Sequence, residues 1–146
     1  MEIRAMQTGD YASAHALWLS CRGMGLNDRD DSEAGFARYL RRNPNTCFAA
    51  EEDGVLVGTI LAGHDGRRGF IHHTAVNPEK RGRGIGRALV ERALAALEAE
   101  GIGKVALVVF SQNEAGNAFW EKMGFEVRED LTYRNRALVA MRRMDT

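Results

Sequence analysis

The sequence predicts a mixed α/β fold, a strongly twisted sheet of about six or seven strands with four helices covering both of its sides. Two observations predict it. Runs with strand-like alternation and runs with the helical period follow one another along the whole chain. One uninterrupted apolar run, KVALVVF at residues 104–110, is typical of a strand that is covered on both faces. With 146 residues, a length near the usual domain size, the chain is expected to form a single domain over residues 1–146.

The composition argues against several classes of protein. Hydrophobic residues make up 45% and charged residues 27% of the chain, and 20 basic residues balance 20 acidic ones. A net charge of zero gives no overall attraction to nucleic acid or to an anionic membrane, and no apolar run approaches the ~20 residues of a membrane span. Cys21 and Cys47 lack the spacing of a metal site, and the N-terminus lacks an apolar signal core. We therefore expect a cytoplasmic protein with no metal and no nucleic-acid or membrane partner.

The first third of the chain is mainly helical in pattern. A short strand is expected at residues 2–6, followed by a helix through residues 11–22 whose apolar side chains share one stripe. Residues 23–33 (GMGLNDRDDSE) form a polar, acidic loop. A second helix is capped by Asp31 or Ser32 and ends at an Asn-Pro pair, because the residue before proline disfavours the helical conformation.

The period then changes to that of strands. The runs at residues 46–52 and 55–64 are joined by Asp53-Gly54, a strong hairpin signal, and a second turn leads into FIHHTAV at residues 70–76. These three strands should be antiparallel neighbours.

The second half of the chain is predicted to contain two helices and three strands. A helix from about residue 84 to residue 100 carries one apolar stripe. The apolar run after it should lie parallel to residues 70–76 through a crossover connection. A fourth helix opens at Asn113, and two last strands are expected in FEVREDLTY (125–133) and RALVAMRRM (136–144).

Three glycines at alternate positions open the third helix, in KRGRGIGR at residues 80–87, although glycine costs roughly 1 kcal/mol relative to alanine inside a helix. A helix N-terminus presents free backbone N–H groups, and glycines there let a phosphate oxygen reach the main chain. A Walker A loop is excluded because Gly86 is followed by Arg87-Ala88, and a dinucleotide fingerprint would need glycine at Arg87. The stretch therefore predicts an anion site of another kind.

Arg81, Gly84 and Gly86 satisfy the pattern R-x-x-G-x-G directly after a predicted strand. AVNPEKRGRGIGRALV at residues 75–90 and NEAGNAFWEKMGF at residues 113–125 resemble the two cofactor motifs of the GNAT superfamily of acetyl-CoA-dependent N-acetyltransferases. The resemblance covers nearly the whole chain, and the N-terminal half is similar to the small bacterial YpeA-like members.

The resemblance implies transfer of the acetyl group of acetyl-CoA to a primary amine by direct attack in a ternary complex. It also implies a bulge in the strand at HTAV (73–76), with the pantetheine arm lying in a gap beside it. The residues expected to bind acetyl-CoA are Ala75, Val76, Arg81, Gly82, Arg83, Gly84, Ile85, Gly86, Arg87, Asn113 and Phe119. Asn113 fits equally well as the N-cap of the fourth helix.

Acetyl transfer needs a base for the amine, donors for the oxyanion and a proton or positive environment for the thiolate. The resemblance implies the backbone N–H of Val76 as the oxyanion donor. His72 is the preferred base, since serotonin-type relatives carry a histidine at this position. Strand alternation should send His72 and His73 to opposite faces of the sheet. The alternative to a catalytic role is that both histidines are packed and hydrogen-bonded within the sheet. Trp120 stands where the family commonly has the tyrosine that protonates the thiolate. Either Tyr133 or a water takes the place of that tyrosine as the proton donor, or the thiolate leaves unassisted, which its pKa near ~8.5 allows.

The acidic loop between the first two helices should attract a cationic amine. Asn27, Asp28 and His73 are expected to bind the acceptor, whereas Asp30 and Asp31 are expected to be solvated and to cap the helix.

A small-molecule amine is the preferred acceptor, and two alternatives stay open. One is a protein N-terminal or lysine acetyltransferase, although protein-modifying relatives often carry glutamate where Val108 stands. The other is a non-catalytic acyl-CoA-binding sensor, which the change at Trp120 allows. The apolar ALVAM at residues 137–141 is a candidate contact strand for a homodimer.

Overall fold

The computed structural model describes residues 1–145. Its sheet contains five strands that pair in chain order: β1 (Glu2–Ala5), β2 (Phe48–Glu52), β3 (Val55–His64), β4 (Gly69–Val76) and β5 (Val105–Ala106). Strands β1 to β4 are antiparallel, and β5 is parallel to β4. The helices are α1 (Tyr11–Leu19), α2 (Glu33–Arg42), α3 (Ile85–Ala99) and α4 (Glu114–Lys122), with 3-10 turns at Thr8–Asp10 and Pro78–Lys80. The predicted mixed α/β fold with four helices is confirmed in this range.

Helix α2 shows how local sequence signals set the element boundaries. Ser32 precedes the helix in an extended conformation, and its Oγ accepts a hydrogen bond from the N–H of Gly35 at 3.0 Å. An N-cap serine of this kind stabilises a helix by ~1 kcal/mol. Phe36 and Leu40 lie one turn apart and are both buried, so that the helix covers the sheet with one face.

Two hydrophobic cores lie on opposite faces of the sheet. On one face α1 and α2 bury Trp18 and Phe36 against β2, β3 and β4. On the other face α3 buries Leu89 and Leu97 against Ile60 of β3. Burial of each such side chain is worth about 1.5–3 kcal/mol, which fixes β3 and β4 between two packed layers.

The prediction of six or seven strands is wrong for residues 1–145, which form five. The apolar run at residues 104–110 is a strand only at Val105–Ala106, and Val108 beyond it is 59% exposed. The two predicted C-terminal strands are absent from residues 125–145, where the one ladder contact is an isolated bridge between Asn27 and Arg143.

The physical reason lies in backbone pairing, which apolar patterning does not specify. The end of the chain bonds to the connection between α1 and α2 instead of to β5. The N–H of Asp28 donates to the carbonyl of Arg142 at 3.0 Å, and the N–H of Met144 donates to the carbonyl of Leu26 at 2.9 Å. An apolar segment without a paired neighbour cannot continue a sheet.

Among residues 1–145 no helix is both long enough and apolar enough to cross a membrane.

Candidate active site

Strand β4 carries a bulge opposite β3. Thr59 faces Ala75 and Leu61 faces His72, so that three steps along β4 oppose two steps along β3. His73, inside the bulge, has φ +37°, in the left-handed region that residues other than glycine rarely occupy.

The bulge is held in place by side chains from β3 and α1. Thr59 Oγ1 donates to the carbonyl of His73 at 3.0 Å, and Trp18 Nε1 donates to Thr59 Oγ1 at 3.0 Å. Trp18 and Thr59 are both fully buried, so these bonds are protected from competition by water. The backbone of β4 is thereby fixed where its conformation is least favourable.

The prediction that His72 and His73 point to opposite faces is wrong. His72 contacts the ring of Tyr39 on α2, and His73 contacts the ring of Trp18 on α1, with ring centroids 5.7 Å and 4.8 Å apart. The extra residue of the bulge interrupts the alternation, so that both histidines lie on the side of α1 and α2. Their own rings are 6.3 Å apart.

His73 is joined to the loop that precedes α2. Its Nε2 lies 2.5 Å from Oδ1 of Asp31, whose surface is only 5% exposed. The other carboxylate oxygen of Asp31 accepts the N–H of Asn27 at 2.8 Å. The expectation of a solvated Asp31 is wrong: this carboxylate ties the bulge to the acidic loop. Sequence reasoning missed the contact because the two residues are 42 positions apart and no local pattern marks the pair.

His72 lies at the wall of a cleft, between the rings of Tyr39 and Phe70. Part of the His72 surface is exposed, but the atoms packed around the ring desolvate its charged form. This desolvation and the nearby His73 lower the pKa of His72 from its usual value, against a smaller opposing effect of Asp31 and Asp30. A histidine with a lowered pKa is neutral near pH 7 and can accept a proton.

A gap separates β4 from β5. The two strands pair only at Gly69 with Val105 and at Phe70 with Ala106, so the edge of β4 beyond this point has no parallel neighbour in residues 1–145. At the C-terminal end of β4, the carbonyl of Val76 accepts a hydrogen bond from Arg81 Nε at 3.2 Å.

The bulge also carries an unsatisfied polar group. Thr74 Oγ1, one residue before Ala75, is buried without a hydrogen-bond partner among the described residues. A buried hydroxyl of this kind is usually paired, so this position can accept a polar ligand group.

The glycine loop turns into α3 beside the gap. Gly84 is the N-cap of α3 in a left-handed conformation, φ +83°, and no side chain caps the helix there. A Cβ on Gly82 or Gly84 would meet no heavy atom within 4 Å. The glycines are therefore not demanded by packing, and the space beside Gly82 and Gly84 at the helix start is open.

Apart from Arg81, the basic side chains of this loop make only exposed ion pairs. Lys80 lies 3.4 Å and Arg83 lies 3.9 Å from Glu52 Oε1, and Arg87 pairs with Glu91 one turn along α3. Such exposed pairs are worth little, so these cations are available to an anion.

Gly86 lies within α3, and its packing is close. An added Cβ would lie 3.3 Å from the ring of Phe119, which places α4 against the start of α3. Ile85 beside it is buried in the core.

The other predicted residues of α4 and the C-terminal segment are placed as follows. Asn113 is the N-cap of α4, with its Oδ1 accepting the N–H of Gly116 at 2.9 Å. Trp120 packs between the rings of Phe119 and Phe125, at 5.0 Å and 5.1 Å. Tyr133 is 67% exposed, and no contact joins it to the bulge within residues 1–145.

Two predicted acceptor residues have structural partners. Asn27 Oδ1 accepts the N–H groups of Arg29 and Asp30, which makes it the organising residue of its turn. Asp28 Oδ1 accepts the N–H of Arg142 at 2.8 Å. Contact of either residue with an acceptor stays a prediction.

No group of three or more His, Cys, Asp or Glu side chains in the described part of the chain could hold a metal ion.

Comparisons with known proteins agree with this architecture. The model of the acetyltransferase (GNAT) family matches residues 11–125. An acetyltransferase of Photorhabdus laumondii subsp. laumondii is 38% identical over 141 residues, which cover 95% of this chain and 97% of that protein.

Two solved structures share the fold. The PaiA N-acetyltransferase of Thermoplasma acidophilum, in complex with coenzyme A, has a TM-score of 0.75 and 21% identity and covers 87% of this chain and 90% of its own. AAC(6')-Iy, in complex with the bisubstrate analogue CoA-S-monomethyl-acetylneamine, has a TM-score of 0.72 and 21% identity over 93% of this chain and 98% of its own. At this identity the two structures show likeness of fold alone.

The family match and a relative aligned over nearly its full length confirm the predicted family and enzyme class, while the similarity to YpeA-like members stays a prediction. The chain belongs to the acetyltransferase (GNAT) family.

Proposed function

We propose that this enzyme moves the acetyl group of acetyl-CoA to the primary amine of a small molecule, by direct attack in a ternary complex. The observation that carries the proposal is the gap between β4 and β5, which begins beside the bulge and ends at the glycine loop. It joins an open helix N-terminus to an unpaired strand edge, as a long ligand with a diphosphate at one end requires.

The chain's own groups divide the binding of acetyl-CoA among them. Backbone N–H groups from Arg81 to Arg87 surround the diphosphate, the edge of β4 at Ala75 and Val76 bonds the arm, and Asn113 and Phe119 lie on its other side. When bound, the thioester supplies an activated acyl group whose thiolate, with a pKa near ~8.5, is a tolerable leaving group. The N–H of Val76 donates to the developing oxyanion.

His72 accepts the proton of the attacking amine. Its lowered pKa keeps the imidazole neutral near pH 7, and its position on β4 is close to the bulge. The paired Asp31 and His73 hold the bulge beside it. Protonation of the thiolate falls to a water, because an indole such as that of Trp120 is not a usable acid at neutral pH and Tyr133 is exposed, with no hydrogen bond to the bulge among residues 1–145.

The size of the cleft beside His72 supports a small acceptor. Its volume is ≈ 310 Å³, at the lower end of the range of about 300–1,000 Å³ typical of small-molecule sites. Tyr39 and Phe70 give it aromatic walls.

The test measures coenzyme A release from acetyl-CoA by the full-length protein over a panel of primary amines. Saturable turnover with at least one small amine is the expected result. Tight binding of acetyl-CoA without turnover on any amine would contradict the proposal and favour a sensor. Loss of an acetyl group from intact ribosomal proteins of a deletion strain, measured by mass spectrometry, would instead favour a protein acceptor.

We also infer a cytoplasmic location and a homodimer. Both cysteines are free, which suits a reducing compartment. Leu138, Val139 and Met141 in the ALVAM segment are 89%, 44% and 43% exposed, an apolar surface suited to a second copy. Sedimentation of the wild type and of a Leu138→Asp variant tests the dimer, and a monomeric wild type would refute it.

A further inference from the structure

The cleft beside His72 has two different ends. His72 lies at one end along β4, and Arg68 and Lys104 line the other. Between them stand the aromatic rings of Tyr39 and Phe70. Lys104 precedes Val105, which pairs with Gly69, and Gly69 is three residues before His72. At ~3.3 Å per strand residue, the backbone positions of Gly69 and His72 are about 10 Å apart.

Two acidic residues lie near the far end, and of these only Asp65 lines the cleft. Asp65 Oδ1 accepts the N–H groups of Arg67 and Arg68 at 2.8 Å and 2.9 Å. Glu100 Oε1 lies 2.7 Å from Nε2 of His64. The charged groups of Arg68 and Lys104 make no ion pair with any residue from 1 to 145. Arg68 and Lys104 therefore outnumber the one carboxylate that lines this end of the cleft, that of Asp65.

The end at His72 has the opposite character. Asp31 is within hydrogen-bond distance of His73, whose ring is 6.3 Å from that of His72. Asp30 lies in the same turn, where its carboxylate accepts a hydrogen bond from Nδ2 of Asn27 at 3.0 Å. A cationic amine is attracted to this end and repelled by Arg68 and Lys104, whereas an anion is attracted to the far end. The polarity of the cleft orients a zwitterion in one direction.

We propose that the acceptor is an extended amine whose other end carries an anionic group, a carboxylate or a phosphate, bound between His72 and the pair Arg68 and Lys104. This inference rests on the proposed function and names the substrate class of the same site. Tyr39 and Phe70 pack on the aliphatic part, and the hydroxyl of Tyr39 stays protonated because burial raises its pKa.

The experiment compares amines that differ only at the far end: hexylamine, aminocaproate, aminohexyl phosphate and hexamethylenediamine. The kcat/KM of each is measured at low salt with the full-length wild type and with the Arg68→Gln, Lys104→Met and double variants. Arg67→Gln is the matched control, because Arg67 lies in the same turn but does not line the cleft.

We expect an anionic acceptor to be preferred over hexylamine, chiefly through KM. Arg68→Gln and Lys104→Met should each reduce the kcat/KM ratio of the anionic amine to hexylamine about two- to five-fold, which is the effect of one exposed ion pair. The double variant should reduce this ratio roughly ten-fold. Arg67→Gln should leave it unchanged, and Lys104→Glu should shift the preference toward the diamine. The anionic amine with the higher kcat/KM shows whether the site prefers a carboxylate or a phosphate.

Equal kcat/KM for hexylamine and both anionic amines would overturn the proposal, as would an equal effect of Arg67→Gln. Saturation-transfer NMR with aminocaproate separates this failure from failure of the proposed function. If no amine is acetylated, binding of aminocaproate that the double variant loses still supports the anion site. Absence of binding to the wild type overturns it.

Discussion

Gly84→Ala tests whether the start of α3 holds the diphosphate of acetyl-CoA. Gly84 has φ +83°, and an added methyl group would meet no heavy atom within 4 Å, so it disturbs conformation and ligand space but no packing. Alanine in the left-handed region costs about 1–2 kcal/mol. Since ~1 kcal/mol shifts Tm by about 2–4 °C in a chain of this size, we expect a Tm lower by roughly 2–8 °C.

Gly101→Ala is the matched control at the other end of the same helix. Gly101 has φ +84°, and its added Cβ would also meet nothing within 4 Å. The two variants should therefore lose similar stability. Only Gly84→Ala should raise the KM for acetyl-CoA, because a hydrogen bond to a charged group is worth about 1.5–3 kcal/mol, or roughly 10- to 100-fold.

The assay combines thermal unfolding with initial rates at varied acetyl-CoA and saturating amine. Equal KM values in the two variants, with equal loss of Tm, would refute the assignment of the diphosphate to this loop.

Three further substitutions test the remaining roles. His72→Ala should reduce kcat by ~10² or more, with a smaller loss at high pH where the amine is already neutral. Because the pKa of His72 is lowered, the acidic limb of the wild-type kcat/KM profile should lie below pH ~6.5. An unchanged pH profile in the variant would exclude His72 as the base. Arg81→Ala should chiefly raise the KM for acetyl-CoA, and an effect confined to the amine would place the diphosphate elsewhere. Asp31→Asn should lower the free energy of unfolding in urea by about 1–3 kcal/mol, the cost of a weakened buried contact with His73, and full stability would show that the carboxylate is not needed there.

Local signals predicted the elements around the candidate site well. Ser32 at the start of α2, Gly84 at the start of α3 and Asn113 at the start of α4 all act over three or four residues, so the sequence alone identifies them. Even the proposed anion site rests on one stretch, since the glycines and the helix that they open are adjacent in sequence.

Contacts between distant segments could not be predicted in this way. The pairing of Asp31 with His73 depends on where the loop before α2 meets β4, and neither segment's pattern contains that information. The prediction of two C-terminal strands failed for the same reason: the apolar alternation suits a strand, but the backbone of this segment bonds to residues 26–28 instead of to β5.

The bulge explains why the histidine prediction failed and why the site can work. An extra residue in β4 costs a ladder bond and places His73 at positive φ, a conformation that only surrounding contacts can maintain. Trp18, Thr59 and Asp31 supply those contacts from three separate segments. Because the same residue breaks the alternation, His72 and His73 share the face toward α1 and α2. A regular strand would have turned one of the two away from this face, whereas the bulge places a neutral imidazole and a carboxylate-bound imidazole on the same side of β4, next to its unpaired edge.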